Sequence, residues 1–130
     1  MDTKKDKNIT RLDLEERLID FAVLIIDISK SLHKTKAGNH LSGQIIRSGT
    51  SPALNYGEAQ SAESRKDFIH KIKVVLKELR ETLTCLKIIH RAKLFKSNEI
   101  IEIGIKEANE LISIFVKSAE TAQKNIQNST

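Results

Sequence analysis

Residues 64–92 read SRKDFIHKIKVVLKELRETLTCLKIIHRA, and this stretch decides the fold. Its apolar residues recur at three- and four-residue steps over about five turns, which is the period of one face of an α-helix. Ser64 three residues before Asp67 is typical of a helix N-terminus, so we expect a helix over residues 64–92. The core stripe of this helix is predicted to be Phe68, Ile72, Val75, Leu79, Leu83 and Leu86.

Three further helices follow from the same periodicity on either side of this segment. They are predicted over about residues 13–31, about residues 40–60, and after Lys96. Five glycines and one proline in the chain are too few for a turn-rich β fold. Four helices with short connections indicate an all-α, antiparallel up-down-up-down four-helix bundle. We expect one domain over residues 1–130, with flexible tails at 1–11 and 124–130.

The helix ends carry capping signals, and one helix carries a breaker. Asp13 followed by Glu16 is a variant of the capping box, and Ser97 is a typical N-cap. Proline inside a helix removes one backbone donor and crowds the preceding turn. The sequence therefore predicts a kink or a break between Gly49 and Pro52.

Composition excludes several classes of protein. A single cysteine rules out an internal disulfide and a multi-cysteine zinc site. Four phenylalanines, one tyrosine and no tryptophan do not provide an aromatic platform for stacked bases. No apolar run is long enough for a membrane span or a signal peptide, so we expect no membrane partner and a cytoplasmic protein.

Positive charge is concentrated in the third helix. The chain carries a net charge of +5, but residues 1–64 net zero, residues 65–96 net +7 and residues 97–130 net −2. At about 100° per residue, the cations of the third helix form one stripe away from its core face. These candidate nucleic-acid-binding residues are Lys66, Lys73, Lys77, Arg80, Lys87 and Arg91.

Two interpretations of this stripe stay open. It is either a solvated face or a surface that contacts the phosphates of a polyanion with little sequence preference. Like charges four residues apart, such as Lys73 and Lys77, repel unless a partner neutralises them. Val74 and Ile88 lie outside the core stripe of the same helix, which is typical both of a subunit contact and of scattered exposed apolar residues.

The remaining candidates for chemistry do not form a catalytic or metal-binding set. The four histidines lack a metal-ligand spacing, so we expect no metal and no cofactor. Cys85 is interpreted as a small core or interface thiol rather than a nucleophile. Asn55 is expected to satisfy backbone groups freed by Pro52, and Glu58 and Glu81 to pair with lysine or arginine. We therefore expect no enzyme activity.

Two runs of sequence carry a family resemblance. The first is QIIRSGTS at residues 44–51 with NYGEA at 55–59, and the second is SRKDFIHK at 64–71 with KELRETL at 77–83. Over about residues 12–122 the chain closely resembles the four-helix-bundle proteins encoded in intervening sequences of bacterial 23S rRNA genes. The positions shared with that family are interpreted as packing and assembly residues. They are Arg47, Ser48, Ser51, Asn55, Glu58, Phe68, Lys77 and Glu81.

The resemblance implies a homo-oligomer, with a pentamer favoured, and it implies no catalytic residues. A more distant likeness to accessory proteins of diversity-generating retroelements implies RNA or DNA as a partner and, more weakly, a reverse transcriptase. Pro52 and Leu54 depart from the family pattern, as does the pair Thr84-Cys85. Two functions remain open: a non-catalytic nucleic-acid-binding protein, or a protein–protein assembly module without direct nucleic-acid binding.

Overall fold

Four helices make up the fold in the computed structural model, which describes residues 10–129. Helix α1 spans Arg11–Lys30, α2 Lys36–Ala59, α3 Arg65–Arg91 and α4 Asn98–Ser129, and no strand occurs among these residues. The predicted all-α four-helix bundle is confirmed. The predicted tail 1–11 lies outside the described residues except for Thr10, which caps α1, and Arg11, which begins it.

The helices run antiparallel to their neighbours in chain order. Between α2 and α3, Arg47 bonds to Glu78, and Lys71, earlier in α3, bonds to Glu58, later in α2. Helix α4 packs along α3 and then closes the bundle against α1 through a smaller interface. There the Arg17 guanidinium donates to Glu107 at 2.7 and 2.8 Å and to Glu110 at 2.7 Å, and these bonds raise its pKa.

The core fills the space between the four helices. Phe21 and Ile25 of α1, Leu79 of α3 and Phe115 of α4 are essentially inaccessible to solvent. Tyr56 of α2 meets Phe115 edge to face at a centroid separation of 5.4 Å. The apolar stripes predicted for the helices therefore converge on one core.

Helix α1 begins two residues earlier than predicted, and its cap is different. The Thr10 hydroxyl accepts a bond from the Asp13 amide at 3.0 Å, and Asp13 Oδ2 accepts one from the Thr10 amide at 3.3 Å. Asp13 is therefore the third helical residue of a capping box rather than its cap, and Glu16 has no part in it. Threonine satisfies the free amides one turn earlier than the aspartate could.

Helix α2 begins earlier than predicted, and of the kink or break predicted between Gly49 and Pro52 the break does not occur. It begins at Lys36, capped by Thr35, rather than at His40, and it continues without a break through Gly49 and Pro52 to Ala59. Helices α1 and α3 both stabilise the turn before Pro52, since Gly49 packs on α1 and the buried Ser48 bonds to α3. This packing offsets the cost of proline in a helix, which is about 3 kcal/mol.

The other two helices agree with the sequence at their starts. Ser64 caps α3 by accepting from the Asp67 amide at 3.0 Å, and Ala92 is its C-cap. The Ser97 hydroxyl accepts from the Ile100 amide at 3.2 Å where α4 begins. At its other end α4 is helical to Ser129, so the predicted tail at 124–130 is helical over its described residues.

Candidate nucleic-acid interface

The predicted basic stripe is an exposed row on the outer side of α3. All six of its side chains are exposed, and within residues 10–129 none of them forms an ion pair. From Lys66 to Arg91 the row is about 38 Å long at 1.5 Å per residue. We call it the basic face: Lys66, Lys73, Lys77, Arg80, Lys87 and Arg91.

Two of the three carboxylates of α3 do not neutralise the basic face because they pair with α2. The Arg47 guanidinium bonds to Glu81 and lies 3.1 Å from Oε1 of Glu78, whose side chain is only 9% exposed. The pairing predicted for Glu81 is confirmed. Glu78, three residues before Glu81, is a partner that the sequence did not single out. Arg47 therefore pairs with two of the three acidic residues that α3 contains.

A second ion pair joins α3 to α2 through a lysine outside the basic face. Lys71 Nζ lies 2.6 Å from Oε1 of Glu58 in α2, as predicted for Glu58, and this bond raises the pKa of Lys71. Helix α3 therefore presents paired charges towards α2 and unpaired cations towards solvent. This division gives the outer side of α3 its uncompensated positive charge.

A buried polar contact lies between the same two helices. The Thr82 hydroxyl is 3.0 Å from the Ser48 hydroxyl and 2.8 Å from the Glu78 carbonyl. Asn55 donates to the carbonyl and the hydroxyl of Ser51, and not to the Ser48 carbonyl that Pro52 leaves without its donor. The predicted role for Asn55 is therefore wrong. Three of the positions that carry the family resemblance, Arg47, Ser48 and Glu58, bond to α3, whereas a fourth, Lys77, is exposed.

Cys85 is buried, as expected for a small core thiol. Burial raises its pKa, which lowers the fraction of reactive thiolate. Among residues 10–129, no three histidine, cysteine or carboxylate side chains converge closely enough to hold a metal ion. No helix in this part of the chain is both long and apolar enough to cross a bilayer.

Most of the large exposed apolar side chains among the described residues lie on α1 and α2 rather than on α3. Ile88 is 45% exposed and Val74 is half-buried, so only Ile88 is a prominent apolar residue outside the core of α3. Five of the eight large exposed apolar side chains in the described residues lie instead on α1 and α2. They form the set that we call the apolar face: Leu12, Ile19, Val23, Ile46 and Leu54.

Comparison with known proteins gives a family and solved structures that are similar to this chain. A model of the 23S rRNA-intervening sequence proteins matches residues 10–117. A crystal structure at 1.70 Å of a protein of unknown function from the S23 ribosomal protein family of Bacteroides thetaiotaomicron is 32% identical. The match covers 82% of this chain and 97% of that chain, with a TM-score of 0.75. No curated protein matches the chain. The family match takes in all of α1, α2 and α3 and most of α4, so the chain belongs to the family of 23S rRNA-intervening sequence proteins.

Proposed function

We propose that the protein is a non-catalytic, cytoplasmic homo-oligomer that binds nucleic acid through the basic face. One observation carries this proposal: six exposed cations lie in one row without ion pairs, while two of the three acids of the same helix pair with Arg47 of α2. Unpaired like charges on one helix face repel one another, and an anionic partner removes that repulsion.

The chemistry of the basic face favours phosphate contact over base recognition. Four of its six residues are lysines, which bind phosphates as point charges and carry no sequence code. Such contacts release counterions, so the affinity falls linearly with salt on logarithmic axes.

The salt dependence of binding tests this proposal. If all six cations of one subunit contact phosphates, the slope should be about −4 for a single strand and about −5 for duplex DNA. Fluorescence anisotropy of labelled RNA and DNA between 50 and 200 mM salt measures this slope. Failure to bind either nucleic acid at 50 mM salt would leave the basic face a solvated surface.

The second candidate function is an assembly module, and the apolar face favours it. Exposed apolar side chains grouped on two adjacent helices are typical of a protein–protein interface. Two different faces of each subunit meet in a closed ring, so the apolar face of one subunit and the side of α3 near Ile88 on the next are available for such a contact. The number of five subunits rests on the resemblance alone.

Sedimentation equilibrium measures the assembly. We expect the wild type to sediment as a multiple of its 14.7 kDa subunit. Val23→Glu and Ile88→Glu should shift it towards the monomer without loss of helix content, because a charge in an apolar interface is costly to desolvate. Asn109→Glu, at an exposed position of α4, is the matched control and should not dissociate it. A wild-type monomer at micromolar concentration would refute assembly.

A further inference from the structure

A groove opens beside one end of the basic face, where the first turns of α3 lie against the last turns of α4. Its volume is 290 Å³, and two of its lining residues, Lys66 and Lys73, belong to the basic face. The other lining residues are Ile69, His70, Gln123 and Ile126. The groove is therefore continuous with the row of cations and adds side chains that the row itself lacks.

The side chains of the groove differ in chemistry between floor and rim. Ile69 is buried and Ile126 half-buried, so these two isoleucines supply an apolar surface. The Gln123 carboxamide both donates and accepts hydrogen bonds, and the His70 imidazole presents a flat ring with two nitrogens. Lys66 and Lys73 place positive charge at the rim. Apolar surface with a few polar groups and adjacent cations matches a nucleobase attached to its phosphates.

We propose that this groove receives the base of an unpaired nucleotide, so that the ligand of the basic face is single-stranded nucleic acid. This inference rests on the proposed nucleic-acid binding and makes it more specific. In a duplex the bases are stacked and paired inside the helix, so only phosphates and groove edges reach a protein surface. A single strand, a loop or a bulge can turn a base outwards into a groove beside its backbone.

The test separates contacts to bases from contacts to phosphates. The double variant His70→Ala, Gln123→Ala removes two exposed side chains and leaves every lysine and arginine in place. The control variant is Thr84→Ala, Asn109→Ala, two exposed polar positions on the same helices that do not line the groove. Each protein is titrated with a short single strand of RNA or DNA, with its abasic analogue of equal phosphate number, with the corresponding duplex and with inorganic polyphosphate. Circular dichroism verifies the helix content of both variants.

The wild type should bind the base-containing strand more tightly than its abasic analogue. The groove variant should lose about fivefold in affinity for that strand, the scale of one base contact, and nothing for the abasic strand or polyphosphate. Two results would overturn the groove assignment and leave phosphate binding intact. The first is equal wild-type affinity for the abasic and base-containing strands, and the second is an equal loss of affinity for both strands in the groove variant. If the wild type binds none of these polyanions, the proposed nucleic-acid function fails as well.

Discussion

Replacing Gly49 by alanine should destabilise the protein by about 1–2 kcal/mol, although alanine is the better helix former by about 1 kcal/mol. A Cβ atom at Gly49 would lie 2.5 Å from Cγ2 and 2.9 Å from Cβ of Ile25. Ile25 is fully buried and branched at Cβ, so its side chain has no low-energy rotamer into which to move. Relief then requires that α1 and α2 move apart, which loosens the core around both helices.

Gly43 provides the matched control in the same helix. Apart from its chain neighbours and the backbone of its own helix, a Cβ atom there would have no heavy atom within 4 Å, so Gly43→Ala should stabilise the protein by about 0.5–1 kcal/mol. Thermal unfolding followed by circular dichroism compares the two variants with the wild type. A gain in stability from Gly49→Ala equal to that from Gly43→Ala would show that α1 and α2 do not approach closely at this point.

The third and fourth helices could be predicted from sequence because each carries its own complete signal. Residues 64–92 combine a capping serine, a long apolar stripe and a polar opposite face, and all three lie within one helix. Ser97 gives the start of α4 in the same way. Periodicity and capping act over a few residues, so a single sequence contains all the information that they need.

The second helix could not be predicted in full because its continuity depends on its neighbours. Local rules favour a break at Pro52, yet α1 packs on Gly49 and α3 bonds to Ser48 just before the proline. The start at Thr35 was missed because the predicted helices left Gly38 in the connection between them. In the structure Gly38 lies in the first turn of α2, where its amide donates to the Thr35 hydroxyl.

The candidate site was likewise predicted from the sequence only in part. The basic face was found because an arc on one helix follows from residue spacing alone. The groove beside it was missed because its two walls lie far apart in the sequence. Lys66 is at the start of α3, and Gln123 is near the end of α4. Arg47 likewise gave no signal of its dual pairing, since its partners lie in the next helix.

Substituting three central residues of the basic face tests the proposed function most directly. The variant Lys73→Gln, Lys77→Gln, Arg80→Gln removes three adjacent unpaired cations while Arg47 and its partners stay in place. If the basic face binds the phosphates, loss of three contacts reduces the magnitude of the salt slope on a single strand by about 2. It also reduces the affinity at 200 mM salt by about 30-fold.

The control variant Lys30→Gln, Lys34→Gln, Lys36→Gln removes the same charge from exposed positions around the α1–α2 connection. Both variants should keep the helix content and the assembly state of the wild type, because none of the substituted side chains forms an ion pair in the described residues. The deciding measurement is the affinity for a single strand as a function of salt. The basic face predicts a slope near −2 for the α3 variant and a wild-type slope near −4 for the control. Equal slopes for the two variants would contradict binding through the basic face and leave only nonspecific attraction by net charge.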